Sequence, residues 1–168
     1  MGKRNVLIEG SSGAGKTSVC DELARRGYQA IHGDRDLRYE EEPSDEQWQA
    51  LSAETRHALN LWDVERVRAL AGNHEHEVTF FCGGSRNFSQ FIELFDYVFI
   101  LDVDLETLNR RLDGRDENDW GKLPDERELV LRLHASKEDI PSDGIVIDAT
   151  QPLGQVVDEI LAYVNPSA

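Results

Sequence analysis

The chain has 168 residues, enough for one domain with a sizeable core and little room for a second. Acidic residues outnumber basic ones 33 to 18, for a formal charge of -15, which argues against a nucleic-acid partner and leaves only a local basic pocket for a small anion. No apolar run approaches the roughly 20 residues of a membrane helix and "MGKRNVLIEG" has no signal-peptide core, so a soluble, cytoplasmic protein without membrane contact is expected.

The first apolar run, "NVLI" (5–8), reads as a buried strand and leads directly to "GSSGAGKT", Gly10 to Thr17, with the helical pattern "SVCDELARRG" after it. The stretch matches G-x-x-x-x-G-K-[ST] in the strand-then-helix context that makes the motif a phosphate-binding loop. Backbone N–H groups of Gly10, Ser11, Ser12, Gly13, Ala14 and Gly15 can turn toward a phosphate, and the helix that starts near Lys16, with Thr17 and Ser18, adds its positive end. Lys16 is placed to reach the β/γ-phosphates, and the Thr17 hydroxyl to ligate Mg²⁺.

The second strand, "YQAI" (28–31), runs into "IHGDRDL", which puts Asp34 and Asp36 at its carboxyl end, where open α/β sheets bind ligands. Either carboxylate can orient or deprotonate an acceptor hydroxyl or hold Mg²⁺ through water; capping a turn and the next helix is the plainer use. The acidic "EEEPSDE" (40–46) reads as a solvated face. "PSDEQWQALSAETRHALNLWDVERVRALAGN" then has room for two helices walling a cleft, with Trp48, Leu51, Leu59, Trp62, Val67 and Leu70 as buried candidates.

The third strand, "VTFFC" (78–82), ends in glycines, whereas ATPase motors commonly end a later strand in an acid, so a motor is not expected. Phe88, Phe91, Ile92 and Phe95 fall at i, i+3, i+4 and i+7 and predict a helix face. After the fourth strand, "YVFIL" (97–101), the N-K-x-D of a guanine-nucleotide switch is missing; Asp104 is placed to cap "LETLNRRL", with Leu105, Leu108 and Leu112 on one side. "DGRDENDWGKLPDERE" (113–128) reads as an exposed, mobile segment. A fifth strand, "GIVI" (144–147), precedes a helix whose stripe is Val156, Val157, Ile160, Leu161 and Val164. Five doubly buried strands alternating with helices predict an α/β domain with a mainly parallel sheet. Cys20 and Cys82 read as buried thiols, His74 and His76 as a solvated turn, and His32 as a buried, hydrogen-bonded imidazole; the five histidines form no metal set.

In their order along the chain, "GSSGAGKT", "GDRD", "CGGSRN", the arginine-bearing "RRLDGR" and "IDATQPLGQVVDEI" resemble the small P-loop kinases, a group that includes shikimate, gluconate and adenylate kinases and antibiotic phosphotransferases. The resemblance covers nearly the whole chain, taken as one domain, 1–168. It implies a three-layer P-loop NTPase fold: a five-stranded parallel sheet of order 2-3-1-4-5 with helices on both faces, an acceptor-binding helical region at about 36–72 and a lid at about 113–128. It also implies ATP, Mg²⁺ and a small-molecule acceptor, phosphorylated on a hydroxyl or a phosphate by a monomer or homodimer.

Carried over by position, Asp34 is similar to the acid after strand two that contacts the acceptor hydroxyl, with Asp36 as neighbour or replacement. Gly83 and Gly84 look like the glycines beside the acceptor, and Arg86 is placed for an anionic group on it; a tight strand exit and a surface arginine are the alternatives. Arg110, Arg111 and Arg115 resemble lid arginines that neutralise the transferring phosphoryl group, Arg111 and Arg115 being the preferred pair beside Lys16 and Asp34. Thr150 and Gln151, in "DATQPL" (148–153), resemble the segment that frames adenine. An acceptor phosphate would draw on Arg35, Arg38, Arg56 and Arg86. The reading from another class is a nucleotide-binding regulator that uses the same loop with little or no turnover.

Overall fold

A strand that is apolar throughout needs cover on both faces, and β1 (Arg4–Gly10) has it, being buried from Asn5 onward. The computed structural model describes residues 4–39, 45–116 and 119–165, without the side chains at 45 and 49. The acidic stretch at 40–44 and residues 117–118 of the expected lid lie outside the described residues. Around β1 stand β2 (Gln29–His32), β3 (Val78–Cys82), β4 (Tyr97–Asp102) and β5 (Ile145–Asp148). All pairings are parallel, in the order β2-β3-β1-β4-β5, with Ile8 opposite Cys82 on one side and Phe99 on the other.

The two-residue period of the strands divides the core into layers. Val6, Ile8, Phe80, Phe99 and Leu101 point to the face covered by α1 (Lys16–Arg25) and α8 (Leu153–Val164), where Val19, Leu23, Val156, Val157 and Ile160 are buried. Cys20 and Cys82 are free thiols buried in the same layer. Leu7, Ile31 and Phe81 face the other way, onto Leu37, Trp62, Val67 and Phe91.

That second layer carries the insertion between β2 and β3. It holds α2 (Gly33–Asp36), α3 (Asp45–Gln49), α4 (Ala53–Ala58) and α5 (Val64–Ala71), so the stretch expected to give two helices gives three short ones. Trp62 and Val67 are fully buried, Trp48, Leu51 and Leu70 are half-buried, and Leu59, which ends α4, is exposed. Trp62 is clamped from both sides. Its N–H and C=O bond the side-chain amide of Asn87 at 3.0 and 2.9 Å, Asp63 N–H donates to Leu37 O at 2.6 Å, and Arg86 N–H donates to Asn60 O at 2.9 Å. The ring fills the space over the exits of β2 and β3: a Cβ on Gly33 would stand 2.1 Å from it, and one on Gly83 3.1 Å.

Three expectations need correction. Residues 88–95 form two 3-10 turns, Phe88–Gln90 and Ile92–Leu94, in place of one helix face. An i, i+3 spacing serves the tighter turn as well, and the break at Phe91 lets its ring stack on Trp62 at 5.6 Å while Phe95 meets Phe81 edge-on at 5.1 Å. In α6 (Leu105–Asp113), Asp104 does cap the helix, accepting from Thr107 N–H at 2.7 Å, but Leu105 in the first turn reaches past the core and is exposed while Leu108 and Leu112 are buried. The polar 113–128 stretch becomes helical at Pro124, which opens α7 (Pro124–Ser136) and presets its first turn.

Gly33→Ala should lower stability by roughly 1–3 kcal/mol, through overpacking against Trp62. Urea unfolding checks this, and Trp62→Leu in the same chain should recover part of the loss. A Gly33→Ala protein as stable as its parent would contradict the packing.

Candidate functional site

The loop between β1 and α1 closes on itself, with Ala14 N–H donating to Ser11 O at 3.0 Å, and it needs φ of 87° at Gly13 and 104° at Gly15, which only glycine adopts without strain. No side chain caps α1, so the N–H groups of its first turn are left for an outside acceptor. Lys16 folds back, and its Nζ donates to Gly10 O at 2.5 Å. Gly10, Ser12, Gly13, Ala14, Gly15, Lys16, Thr17 and Ser18 border one cavity of about 920 Å³. Ser11 is buried outside its lining.

Two arginines reach over the loop from α6 and the turn after it. Arg111 donates to Gly13 O at 2.9 Å and to Ala149 O at 3.0 Å; Arg115 donates to Ser12 Oγ at 3.2 Å and to Trp120 O. Every one of these acceptors is neutral. Among the described residues neither guanidinium has a carboxylate within ion-pair distance; burial pushes both below their ordinary pKa, with the Arg110 charge adding to the effect at Arg111, while the more distant Asp104 and Asp119 oppose it at Arg111 and Arg115 without cancelling it. A partly buried cation bonded only to neutral oxygens draws an anion. Arg110 itself is exposed and outside the cavity.

The facing wall comes from the insertion and the β3 exit. Asp34 lines the cavity, its Oδ1 being 3.5 Å from where a Cβ on Gly83 would stand. Asp36, at the end of the single turn of α2, is exposed and does not line the cavity, so the two acids of "GDRD" part company. Gly84 lines it and Gly83 does not, and Asn60 donates to Gly84 O at 2.8 Å. Arg86 also borders the cavity, held by Asp139: it donates to the Asp139 carbonyl at 2.7 Å and lies 3.6 Å from the carboxylate. At the far end Ala149, Gln151, Leu153 and Val156 form the wall, while Thr150 is exposed outside it.

Arg56, an expected acceptor contact, is instead neutralised, and its partners Glu126 and Asp125, with His57 and Asp139, went unread in the sequence. Arg56, buried, ion-pairs with Glu126 and, at 3.0 Å, with Asp125, and its guanidinium lies 5.7 Å from the Trp120 ring centre, so α4 and α7 meet around Trp120. His57 also stacks on Trp120, with ring centres 6.4 Å apart, and its Nε2 lies 3.4 Å from Asp139. Burial pushes the Asp139 carboxyl up, but the approach of His57 and the charges of Arg86, His57 and Lys16 outweigh it and hold the group below its ordinary value. His32, by contrast, pairs with Asp21 at 2.9 Å, away from the cavity lining.

Glu9 is the residue that sequence reasoning should have caught, since an acid stands inside an otherwise apolar strand. It is fully buried beside the loop; Oε1 accepts from Gly10 N–H at 3.1 Å and Oε2 has no hydrogen-bond partner. A Cβ on Gly84 would meet Glu9 Oε1 at 2.6 Å and Lys16 Nζ at 3.4 Å, so the carboxylate and the ammonium both border the space beside the β3 exit. Burial raises the Glu9 pKa to about 7, against the opposing pull of Lys16, the Gly10 N–H and Arg86.

A family profile described as an AAA domain matches residues 6–132. No curated protein sequence matches the chain. Among solved structures it is similar to shikimate kinase from Aquifex aeolicus, at 19% identity and a TM-score of 0.62, with 96% of each chain covered. It is also similar to a sugar kinase from Janibacter at 21% identity and a TM-score of 0.56, covering 98% of this chain and 96% of that one. Deoxyadenosine kinase from M. mycoides with bound dATP follows at 18% identity and a TM-score of 0.57, covering 96% and 99%. The likeness is one of fold, a P-loop kinase-like parallel sheet in the order 2-3-1-4-5.

The raised pKa of Glu9 carries a sign. Below the unfolded value of 4.5 the carboxyl is protonated folded or unfolded; as pH rises to about 7 the folded chain must keep a proton that the unfolded chain has released, so stability falls through that window. The full difference corresponds to roughly 3 kcal/mol. Glu9→Gln should therefore gain on its parent by about 1–3 kcal/mol between pH 5 and pH 8 in paired denaturation curves. A difference that does not change with pH would contradict the placement.

Proposed function

The chain belongs to this AAA-domain family, and on that premise we propose that it is an ATP-dependent phosphotransferase acting on a hydroxyl or phosphate of a small molecule. The observation that carries the reading is the pair of guanidiniums, Arg111 and Arg115, held over a glycine loop and hydrogen-bonded there, among the described residues, only to neutral oxygens, while Asp34 faces the same cavity from the opposite wall.

The loop from Gly10 to Ser18 cradles the phosphates, Lys16 leaves Gly10 O for the β/γ-oxygens, and Arg111 and Arg115 neutralise charge on the group in transit. Ala149, Gln151 and Val156, with Thr150 at the edge, frame the adenine. The Thr17 hydroxyl, on the cavity wall, is the hard oxygen donor that suits Mg²⁺, and the Asp34 carboxylate, also on the wall, would reach the ion only through water. Among the described residues no cluster of three His, Cys, Asp or Glu could hold a metal, which suits an ion that arrives with the nucleotide. Bound there, Mg²⁺ supplies charge neutralisation on the β- and γ-oxygens.

Asp34 orients the acceptor O–H and takes its proton as the oxygen bonds to the γ-phosphorus; the bond to the β,γ-bridging oxygen breaks, and ADP leaves with that electron pair. Positioning and charge do most of the work. The helical region at 36–72 serves as the acceptor wall and the 113–128 segment as the lid, whose Trp120 rests on Arg56 and keeps water from the transfer. Among the described residues no helix is long and apolar enough to cross a membrane, and a cytoplasmic setting supplies Mg·ATP.

Lys16→Ala should lose acceptor-dependent ADP release by about a hundredfold or more while keeping its fold. Asp34→Asn should slow transfer by roughly 10²–10⁴-fold and leave the ATP dissociation constant nearly unchanged. Undiminished turnover in Lys16→Ala sinks the assignment; equal loss of binding and transfer in Asp34→Asn moves Asp34 from the acceptor to the metal or the fold.

A further inference from the structure

The two walls of the cavity treat positive charge differently. Over the phosphate loop, Arg111 and Arg115 are bonded, among the described residues, only to neutral oxygens. On the acceptor wall two guanidiniums already have carboxylates. Arg56 has two, Glu126 and Asp125, and Arg86 has Asp139. The Glu126 and Asp139 side chains are only 6% and 9% exposed, so neither can swing into water to release its arginine. Arg38, on the same wall, is engaged as well. Asp34 adds one more negative charge.

A phosphate or carboxylate brought to this wall would meet arginines already matched or outnumbered, and would sit beside desolvated carboxylates at the separations where like charges repel most. A hydroxyl or an ammonium meets the opposite situation. It donates to Asp34 and to backbone carbonyls, while the half-buried rings of Trp48, Trp120 and His57 offer surface for a carbon skeleton.

We infer that the acceptor is a hydroxyl compound that brings no anionic group, neutral or amine-bearing, and that this protein places the first phosphate on it. The inference rests on the phosphotransferase reading and narrows it by removing the monophosphate acceptor. Asp139 and Glu126 set specificity through Arg86 and Arg56 and are positioning residues, distant from the bond that forms. In sequence terms, the reaction that consumes the product must accept a phosphate ester, and the reaction that supplies the substrate must deliver it unphosphorylated.

The test separates binding from turnover. Protein loaded with Mg²⁺ and a non-hydrolysable ATP analogue is titrated calorimetrically with inorganic phosphate. The parent should show no saturable binding up to about 10 mM, whereas Asp139→Asn and Glu126→Gln, which free Arg86 and Arg56, should each bind phosphate at least about tenfold more tightly. Saturable phosphate binding by the parent, or silence in both folded variants, overturns the inference. Matched pairs are then compared for acceptor-dependent ADP release: adenosine with AMP, uridine with UMP, glucosamine with glucosamine 6-phosphate. In any pair that turns over, the unphosphorylated member should lead by about tenfold or more in kcat/KM, and the reverse order overturns the proposal. Should no acceptor accelerate ADP release, the phosphotransferase reading falls while the titration still decides the charge character of the wall.

Discussion

Trp62 sets the geometry on which the site depends. Its ring is fully buried, lies against the glycines that end β2 and β3, stacks on Phe91, and is fastened through its backbone to Asn87 and to the 37–38 segment. Two strand exits and a helical insertion are thereby drawn to one rim at the carboxyl edge of the sheet, the edge from which the phosphate loop also springs. Asp34 faces Lys16 across a cavity because the chain after β2 can lie down only where Gly33 leaves room for the ring. A side chain at either glycine would lift one wall from the other, so the packing of an apolar residue decides the placement of polar ones.

Electrostatics then divide the space that packing has made. Among the described residues the loop side hydrogen-bonds its two guanidiniums only to neutral oxygens, in surroundings dry enough to pull their pKa down. The opposite side spends its carboxylates on its own arginines. Between them Glu9 stands against the Gly84 position, within the field of the Lys16 ammonium, its pKa raised to about 7 by burial. A chain of charge -15 can thus offer one strongly anion-seeking spot, because the sign of a local field depends on pairing and burial more than on the net total.

What was legible in the sequence was what local chemistry dictates. Gly10 to Thr17 announce a phosphate loop because the backbone geometry needs those glycines, and the apolar runs announce strands because a doubly covered sheet admits little else. The helical reading of Phe88 to Phe95 failed where an i, i+3 spacing is common to the 3-10 and α repeats. Asp34 and Asp36 looked alike on paper and were separated by a single turn of helix. Arg86 and Arg56 were visible as arginines, but their counter-ions stand 53 and 70 residues away, and no local signal marks Asp139 or Glu126 as the groups that neutralise them. Glu9 did carry a signal, an acid in a buried strand, whose meaning emerges only once Gly84 and Lys16 are seen against it.

The most direct measurement follows the γ-phosphoryl group itself. ATP radiolabelled at that position is turned over by the parent protein with and without a hydroxyl acceptor, and the products are separated into organic esters and inorganic phosphate. The account predicts acceptor-dependent label in an organic phosphate ester, with little reaching water. Label found only as inorganic phosphate, at a rate that no acceptor changes, would contradict it and point to a nucleotide-binding protein that does not transfer.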